Sequence, residues 1–266
     1  MNTIEFNEEV WQKAGELYRD MPWRDNTEPY YVLVSELMLQ QTQVERVIPK
    51  FELFIHTFPT IESLAKAPLS EVLTLWSGLG YNRRAKFLHA TAKKVIADFE
   101  GTIPDTYDSL TSLPGIGPNT AGAILAYSFN QPVVFIETNV RTVYFHHFFK
   151  DQALVTDKEL REIVENTVDR EHPRQWYWGV MDYGSYLKKQ GVGRINQSSH
   201  YKKQPPLKGS MREVRGLILK ALAKKAYNLD ELRAELPKDE RFEASVKALI
   251  AEGFINRTSD LLRLTR

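Results

Sequence analysis

The chain has 266 residues, with 35 Lys and Arg against 34 Asp and Glu, a net charge of +1 and no cysteine. At roughly 150 residues per domain this length allows one large or two modest domains. The 42% hydrophobic and 26% charged residues are the proportions of an ordinary globular protein. Without cysteine there is no disulfide framework, no thiolate nucleophile and no thiolate-held zinc or iron–sulfur site. A near-neutral total confines any nucleic-acid footprint to a local patch. The opening MNTIEFNEEV is acidic and lacks the apolar stretch of a targeting sequence. No run approaches the roughly 18 apolar residues of a bilayer span, so the expectation is a cytoplasmic chain with no membrane partner.

Residues 1–20 place Val10, Trp11, Ala14, Leu17 and Tyr18 at helical spacing. Pro22, in Met21-Pro22-Trp23-Arg24-Asp25, is expected to break that helix. A long helix is predicted over 28–44, with Pro29 in its first turn. Pro49, Pro59, Pro68 and Pro104 punctuate shorter helical segments. Among these, 64–76 and 83–99 are amphipathic. The apolar run Pro132-Val133-Val134-Phe135-Ile136 is β-prone, but so short a run between two helices reads as a buried extended loop. Residues 157–190 are helical again, and 191–209 has the Gly, Ser, Asn and Pro composition of a linker. Three helical patterns follow at 211–226, 229–236 and 242–252. Gly253 then precedes FINRTSDLLRLT, which has the form of a two-stranded ribbon. Three helices and a ribbon resemble a winged helix. There is no internal repeat.

Two local patterns carry chemistry. In Leu113-Pro114-Gly115-Ile116-Gly117-Pro118-Asn119-Thr120-Ala121, two glycines flank Ile116 ahead of an apolar helix. Successive backbone N–H groups in such a turn form an anion-binding concavity, and the following helix adds its positive N-terminal end. This resembles a helix-hairpin-helix, which grips a DNA phosphate without reading bases. In the helix over 28–44, Glu36, Gln40 and Gln43 run beside an apolar stripe of Tyr30, Leu33, Val34, Leu37, Met38 and Gln41. Partial burial raises the pKa of a carboxyl group at such an edge and suits it to general acid catalysis. Taken alone, each has a plainer alternative: an ordinary turn, and a solvated glutamate.

Together, PWR at 22–24, PYYVLVSELMLQQTQVERVIPKF at 29–51, LWSGLGYNRRAKFL at 75–88 and LPGIGPNTAGAI at 113–124 resemble the adenine DNA glycosylases. These belong to a superfamily that joins a helix-hairpin-helix to a Gly/Pro-rich loop and an aspartate. The resemblance runs from about residue 22 to residue 184. It implies an all-α, bilobed helix-hairpin-helix glycosylase fold over 1–208, followed by a small winged-helix-like α+β module over 209–266. One lobe would be 25–130, with the hairpin, and the other 1–24 plus 131–208. DNA would bind across the cleft, with a base flipped into it.

The resemblance also assigns residues. Glu36 stands where the family's glutamate protonates the leaving purine and assists water, and Asn139 where an asparagine supports the catalytic carboxylates. Trp23 and Arg24 match residues of the base pocket. Gln41 and Tyr81 match the amide and aromatic that wedge into the stack. Backbone at Gly115, Ile116, Gly117, Asn119 and Thr120 would hold phosphate. Cleaving an N-glycosidic bond builds positive charge on the sugar and negative charge on the base, so an acid and an anionic stabiliser are both required.

The chain departs from the family in several places. Glu137 replaces the loop aspartate and is expected to stabilise the sugar cation from one methylene further out. Asn119 replaces the Schiff-base lysine of bifunctional relatives and cannot attack the sugar, so base removal without strong strand cleavage is expected. The four cysteines that follow the family's equivalent of Met181-Asp182-Tyr183-Gly184 are missing. No iron–sulfur cluster or other cofactor is therefore expected, which leaves a monovalent cation at the hairpin as the remaining candidate. Near Trp178 the family has an acid or amide that helps to read the purine. Residues 211–266 are too short and too helical for its 8-oxoguanine-reading domain.

The resulting expectation is a monomeric, nucleoid-associated, monofunctional glycosylase acting on double-stranded DNA with a mismatch or lesion. It would remove adenine opposite 8-oxoguanine or G. The alternatives are a mismatch thymine or uracil glycosylase of the same fold and a catalytically silent DNA-binding protein. Between 183 and 216, eight Lys and Arg (188, 189, 194, 202, 203, 208, 212 and 215) face one acid, Glu213. This basic segment, interleaved with Tyr186, His200 and Tyr201, is expected to take over DNA docking where the cluster would be. Reversing the charge of Lys202 and Lys203 should weaken duplex binding and flatten its dependence on salt; an unchanged titration would remove the segment from the interface.

Overall fold

In the computed structural model, which describes residues 2–199 and 205–266, helix follows helix as far as residue 189. Helix α1 (Thr3–Glu16) opens on a capping box between Asn2 and Glu5. Pro22 does not end this helix, which stops at Glu16. It occupies the first position of a single turn, α2 (Pro22–Asp25), where a missing N–H costs nothing. The helix expected over 28–44 is two: α3 (Pro29–Leu39) and α4 (Val44–Thr57). Between them Gln41 takes a left-handed φ of 55°, and the carbonyls of Leu37, Met38 and Gln40 turn to the Arg84 side chain. Pro49, expected at a boundary, lies inside α4.

The amphipathic stretch 64–76 is likewise split, into α5 (Ile61–Lys66) and α6 (Leu69–Trp76). Pro68 drives Ala67 into extended backbone and ends α5. There follow α7 (Arg83–Asp98), α8 (Tyr107–Thr111), α9 (Pro118–Phe129), α10 (Thr138–Phe148), α11 (Asp157–Thr167) and α12 (Pro173–Lys189). Residues 131–137 form neither strand nor helix, as read from the sequence, but only Phe135 and Ile136 of this loop are buried. A short 3-10 turn, Ile195–Gln197, follows α12.

The C-terminal module comprises α13 (Met211–Leu222), β1 (Tyr227–Asn228), α14 (Leu229–Glu235), α15 (Phe242–Ala251), β2 (Ile255–Thr258) and β3 (Leu261–Leu264). The ribbon gains a third strand. The antiparallel sheet runs β1-β3-β2, with Leu262 of β3 opposite both Tyr227 and Arg257. Strand β1 has two residues, too few to show as an alternating pattern.

The chain divides into two compact units. One comprises Met1–Glu36, Pro104–Ser112 and Ile116–Lys203; the other comprises Leu37–Ile103, Leu113–Gly115 and Gln204–Arg266. In the first, α12 packs against α1 and α10 around buried Phe6, Tyr144, Trp176 and Tyr177. The Tyr177 hydroxyl donates to the Val133 carbonyl at 2.9 Å and its ring lies 4.1 Å from that of Phe135, which pins the extended loop. In the second, α7 is central. Phe54, Trp76 and Leu88 are buried there, and Thr91 on α7 donates to the Pro114 carbonyl at 2.7 Å. Gly115 has φ 77°, and a Cβ there would fall 2.6 Å from the Cβ of Phe87.

Helices α10 and α12 meet at Gly184, where a Cβ would stand 2.4 Å from the Asn139 carbonyl oxygen. Backbone cannot yield as a flexible side chain can. Gly184→Ala is therefore expected to cost about 1–3 kcal/mol, the usual range for overpacking, and a thermal melt matching that of the parent chain would contradict this.

Candidate active site

The first unit brings two glutamates into one electrostatic neighbourhood. Glu36 sits in the last turns of α3 and is half-buried. Glu137 is the residue before the first turn of α10, at the end of the extended loop, and is also half-buried. Helix α9 fixes that loop. The Asn119 amide donates to the Ile136 carbonyl at 3.0 Å, and its oxygen accepts from the Ile136 N–H at 3.2 Å. Asn119 thus acts on the site through the peptide next to Glu137, and only an amide can both donate and accept in this way.

Burial pushes the Glu36 carboxyl well above the ordinary value of 4.5, and the neighbouring charge of Glu137 raises it further. Burial lifts Glu137 to about 6, against the opposing pull of the Lys188 ammonium. Two carboxyl groups that resist joint ionisation separate into one that keeps its proton and one that loses it. Tyr127 on α9 is buried within the fields of both glutamates and of Arg24, and its hydroxyl is held well above its usual range. The side-chain oxygen of Asn139, in the first turn of α10, is buried without a hydrogen-bond partner among the described residues. A buried acceptor of this kind calls for a partner from outside the chain, water included.

Arg24 is engaged in an ion pair that its motif does not show. Its side chain is 2% exposed and makes a bidentate pair with Asp182, which is 1% exposed, at 2.7 and 2.9 Å. The Arg19 Nε donates to the same carboxylate at 2.6 Å. The Arg24 guanidinium lies 5.2 Å from the ring centre of Tyr18 and 5.3 Å from that of Trp178. Trp178 in turn stacks on Tyr127, with ring centres 6.5 Å apart. What Arg24 contributes is therefore an ordered aromatic wall, held by an ion pair whose rupture would leave a buried charge. Trp23 is also buried.

The second unit holds Gln41 and Tyr81, the only two left-handed non-glycine residues of the described chain before Glu100, with φ of 55° and 48°. Arg84, in the first turn of α7, explains both. Its Nη1 donates to the carbonyls of Leu37, Met38 and Gln40 at 2.8, 2.8 and 2.6 Å. Its Nη2 donates to Thr42 Oγ1 and to the carbonyls of Leu79 and Gly80 at 3.1, 3.3 and 3.0 Å. One guanidinium thus gathers the end of α3 and the loop before α7. Burial lowers its pKa to about 10, so it remains charged at neutral pH.

In the hairpin, Ile116 and Thr120 are buried and Gly117 is the residue before the first turn of α9. Lys202 and Lys203, with His200 and Tyr201, lie outside the described residues. Of the remaining basic residues, Arg194 donates to the Lys150 carbonyl, Arg215 pairs with Glu252, and Arg212 donates to the Tyr81 hydroxyl.

Sequence reasoning missed Tyr127, Asp182 and Arg84. Asp182 and Arg84 stand within quoted motifs, and a charged residue inside an apolar helical stripe was the available signal. Tyr127 looks like any core aromatic. The described residues contain no group of three or more His, Asp or Glu that could hold a metal ion. With no cysteine in the chain, a thiolate-held cluster has no ligands.

A family model described as HhH-GPD superfamily base excision DNA repair protein matches residues 34–169. An adenine DNA glycosylase of Buchnera aphidicola (subsp. Baizongia pistaciae) is 36% identical over 170 residues, covering 64% of this chain and 48% of that protein. Another, of Mycobacterium tuberculosis, is 30% identical over 268 residues, covering 91% and 88%. Among solved structures, a thermostable thymine-DNA glycosylase shares the fold with a TM-score of 0.62 at 24% identity, over 73% of this chain and 96% of that one. The chain spans about half the length of several of the curated relatives it matches.

The glutamate pair has a consequence for stability. Both folded-state pKa values exceed 4.5, so the folded chain retains protons that the unfolded chain releases. Stability accordingly falls as pH rises from about 4.5 through the raised values. Glu36→Gln, which is isosteric and uncharged, should raise the melting temperature at pH 8 and leave it unchanged at pH 4. A lower melting temperature at pH 8 would show that the Glu36 charge is stabilised rather than strained.

Proposed function

The chain belongs to the HhH-GPD superfamily of base excision DNA repair proteins, and from that membership we propose that it is a monofunctional DNA glycosylase removing adenine mispaired with 8-oxoguanine or G. The observation that carries this reading is the split protonation of Glu36 and Glu137. A flipped nucleotide needs an acid at the departing base and a negative charge beside the sugar. Glu36, with its proton retained, donates to the leaving purine, and the C1′–N bond breaks with its electron pair on the base. Glu137, ionised above about pH 6, offsets the sugar cation until water adds at C1′. The Glu36 carboxylate then accepts the proton that this water releases. Trp178 and Tyr127 offer aromatic faces to the base, and Asn139 offers an acceptor.

The names of the relatives support adenine as the base, and their glycosylase activity supports double-stranded DNA as partner. In the hairpin, backbone N–H groups at 115–120 and the N-terminal end of α9 are suited to a phosphate. A monovalent cation there would rest on backbone carbonyls, since the hairpin residues 113–120 include no acid. No step of the reaction is routed through it. One observation favours the second reading, a thymine or uracil glycosylase. Arg24 is committed to Asp182 and Trp178 presents a ring, so neither supplies a free acid or amide for the purine edge.

Duplexes carrying A:8-oxoG, A:G, T:G, U:G and normal pairs, incubated with the protein and resolved with and without alkali, decide among these readings. The expected product forms only from A-containing duplexes and becomes a strand break only after alkali. Product on T:G or U:G alone would establish the second reading, and none anywhere the silent one. Glu36→Gln should abolish turnover while retaining binding. In single turnovers the rate should rise through about pH 6, and Glu137→Gln should remove that rise; a rise that persists would take Glu137 out of the reaction.

A further inference from the structure

The C-terminal module is anchored beside Tyr81 through Arg212 and Arg215 of α13. Arg215 makes a bidentate pair with Glu252 at 2.7 and 2.8 Å, a carboxylate that Arg83 of α7 also approaches at 3.2 Å. These partners hold the Glu252 pKa down to about 2. Lys86 of α7 donates to the Glu252 carbonyl and lies 5.5 Å from the centre of the Phe254 ring. The module is thereby fastened to the first turns of α7. In the first turn of α13, Arg212 then reaches the tyrosine itself. Its Nη1 donates to the Tyr81 hydroxyl, its Cζ lies 5.3 Å from the ring centre, and its Nη2 donates to the Pro205 carbonyl at 2.6 Å. Arg84 lies 5.5 Å from the same ring. Tyr81 is thus left-handed in its backbone and attended by two guanidiniums.

The third helix of the module is poorly suited to a DNA groove. Asp239 and Glu240 precede α15, and Glu243 in its first turn pairs with Arg233. Asp239, Glu240 and Glu243 put negative charge at the start of this helix, against a row of phosphates.

We propose that Arg212 is a positioning residue that sets the ring of Tyr81, so that the C-terminal module governs insertion of this aromatic into the duplex. The inference rests on the reading of Tyr81 as the wedge. An aromatic side chain free to rotate loses that freedom on entering a base stack. A ring already held by a hydrogen bond to its hydroxyl and a cation on its face has lost it beforehand. Arg212 acts through Tyr81 and not through a phosphate.

The test is a double-mutant cycle on the full chain, read as affinity for a duplex with a tetrahydrofuran abasic site opposite 8-oxoguanine, where no base need be cut. Arg212→Ala should weaken binding about tenfold, the scale of one charge-assisted hydrogen bond, with no change in salt slope. It should have no further effect in a Tyr81→Ala background. Tyr81→Phe, which removes only the hydroxyl, should weaken binding in the same direction and keeps the test valid should the alanine variants melt early. Losses that multiply, a salt slope reduced by about one, or full affinity in Arg212→Ala would each overturn the proposal. So would a parent chain that does not prefer the abasic duplex to an intact one. A chain that shows the coupling and releases no base would overturn the glycosylase reading alone.

Discussion

Two carboxyl groups placed in one half-buried neighbourhood oppose each other's ionisation, and their surroundings decide which of them holds the proton. Here Glu36, on a helix among apolar residues, keeps it, while Glu137 lies beside the Lys188 ammonium and releases it near pH 6. Much of the first unit serves to keep these two groups where they are. Tyr177 and Phe135 fix the extended loop, Asn119 fixes the peptide before Glu137, and the absent side chain of Gly184 lets α12 pack against the start of α10. The raised carboxyl pKa values make the arrangement costly to the folded chain at neutral pH.

Each unit solves its main backbone problem with one polar side chain. In the first, Asn119 closes a reciprocal pair of bonds with Ile136. In the second, Arg84 collects five carbonyls and a hydroxyl from two segments distant in sequence. A guanidinium has donors enough for this, and the last carbonyls of a helix, left without partners, are natural acceptors. Gln41 and Tyr81 can hold left-handed backbone because the segments on either side of them are tied to one rigid group. Strain of this kind gathers at working parts of proteins.

Helical character was legible from spacing, but prolines marked helix ends poorly: Pro22 opens a turn and Pro49 lies inside α4. The turn at 40–43 was not legible, because nothing in QQTQV breaks a helix locally. Its cause is Arg84, forty residues downstream. The split at Pro68 follows the ordinary behaviour of the residue before proline, and an unbroken amphipathic pattern across it concealed the break. Glu36 and Glu137 were legible through motif and charge type. Arg24 shows the limit of that method: the motif places it beside the pocket, while its pairing depends on Asp182, which a linear reading cannot assign as its partner. Tyr127 carried no signal, since an aromatic in an apolar helix is ordinary until its neighbours are known.

The reciprocal bond between Asn119 and Ile136 bears on how this chain could change its chemistry. A lysine at 119 would bring an amine to this position by a single substitution. It would also remove both amide atoms that bond Ile136 beside Glu137, the donor to its carbonyl and the acceptor of its N–H. The same substitution would thus loosen the backbone that carries Glu137. A second change that re-anchors residue 136 would have to come first or together with it, so position 119 is not free to vary alone.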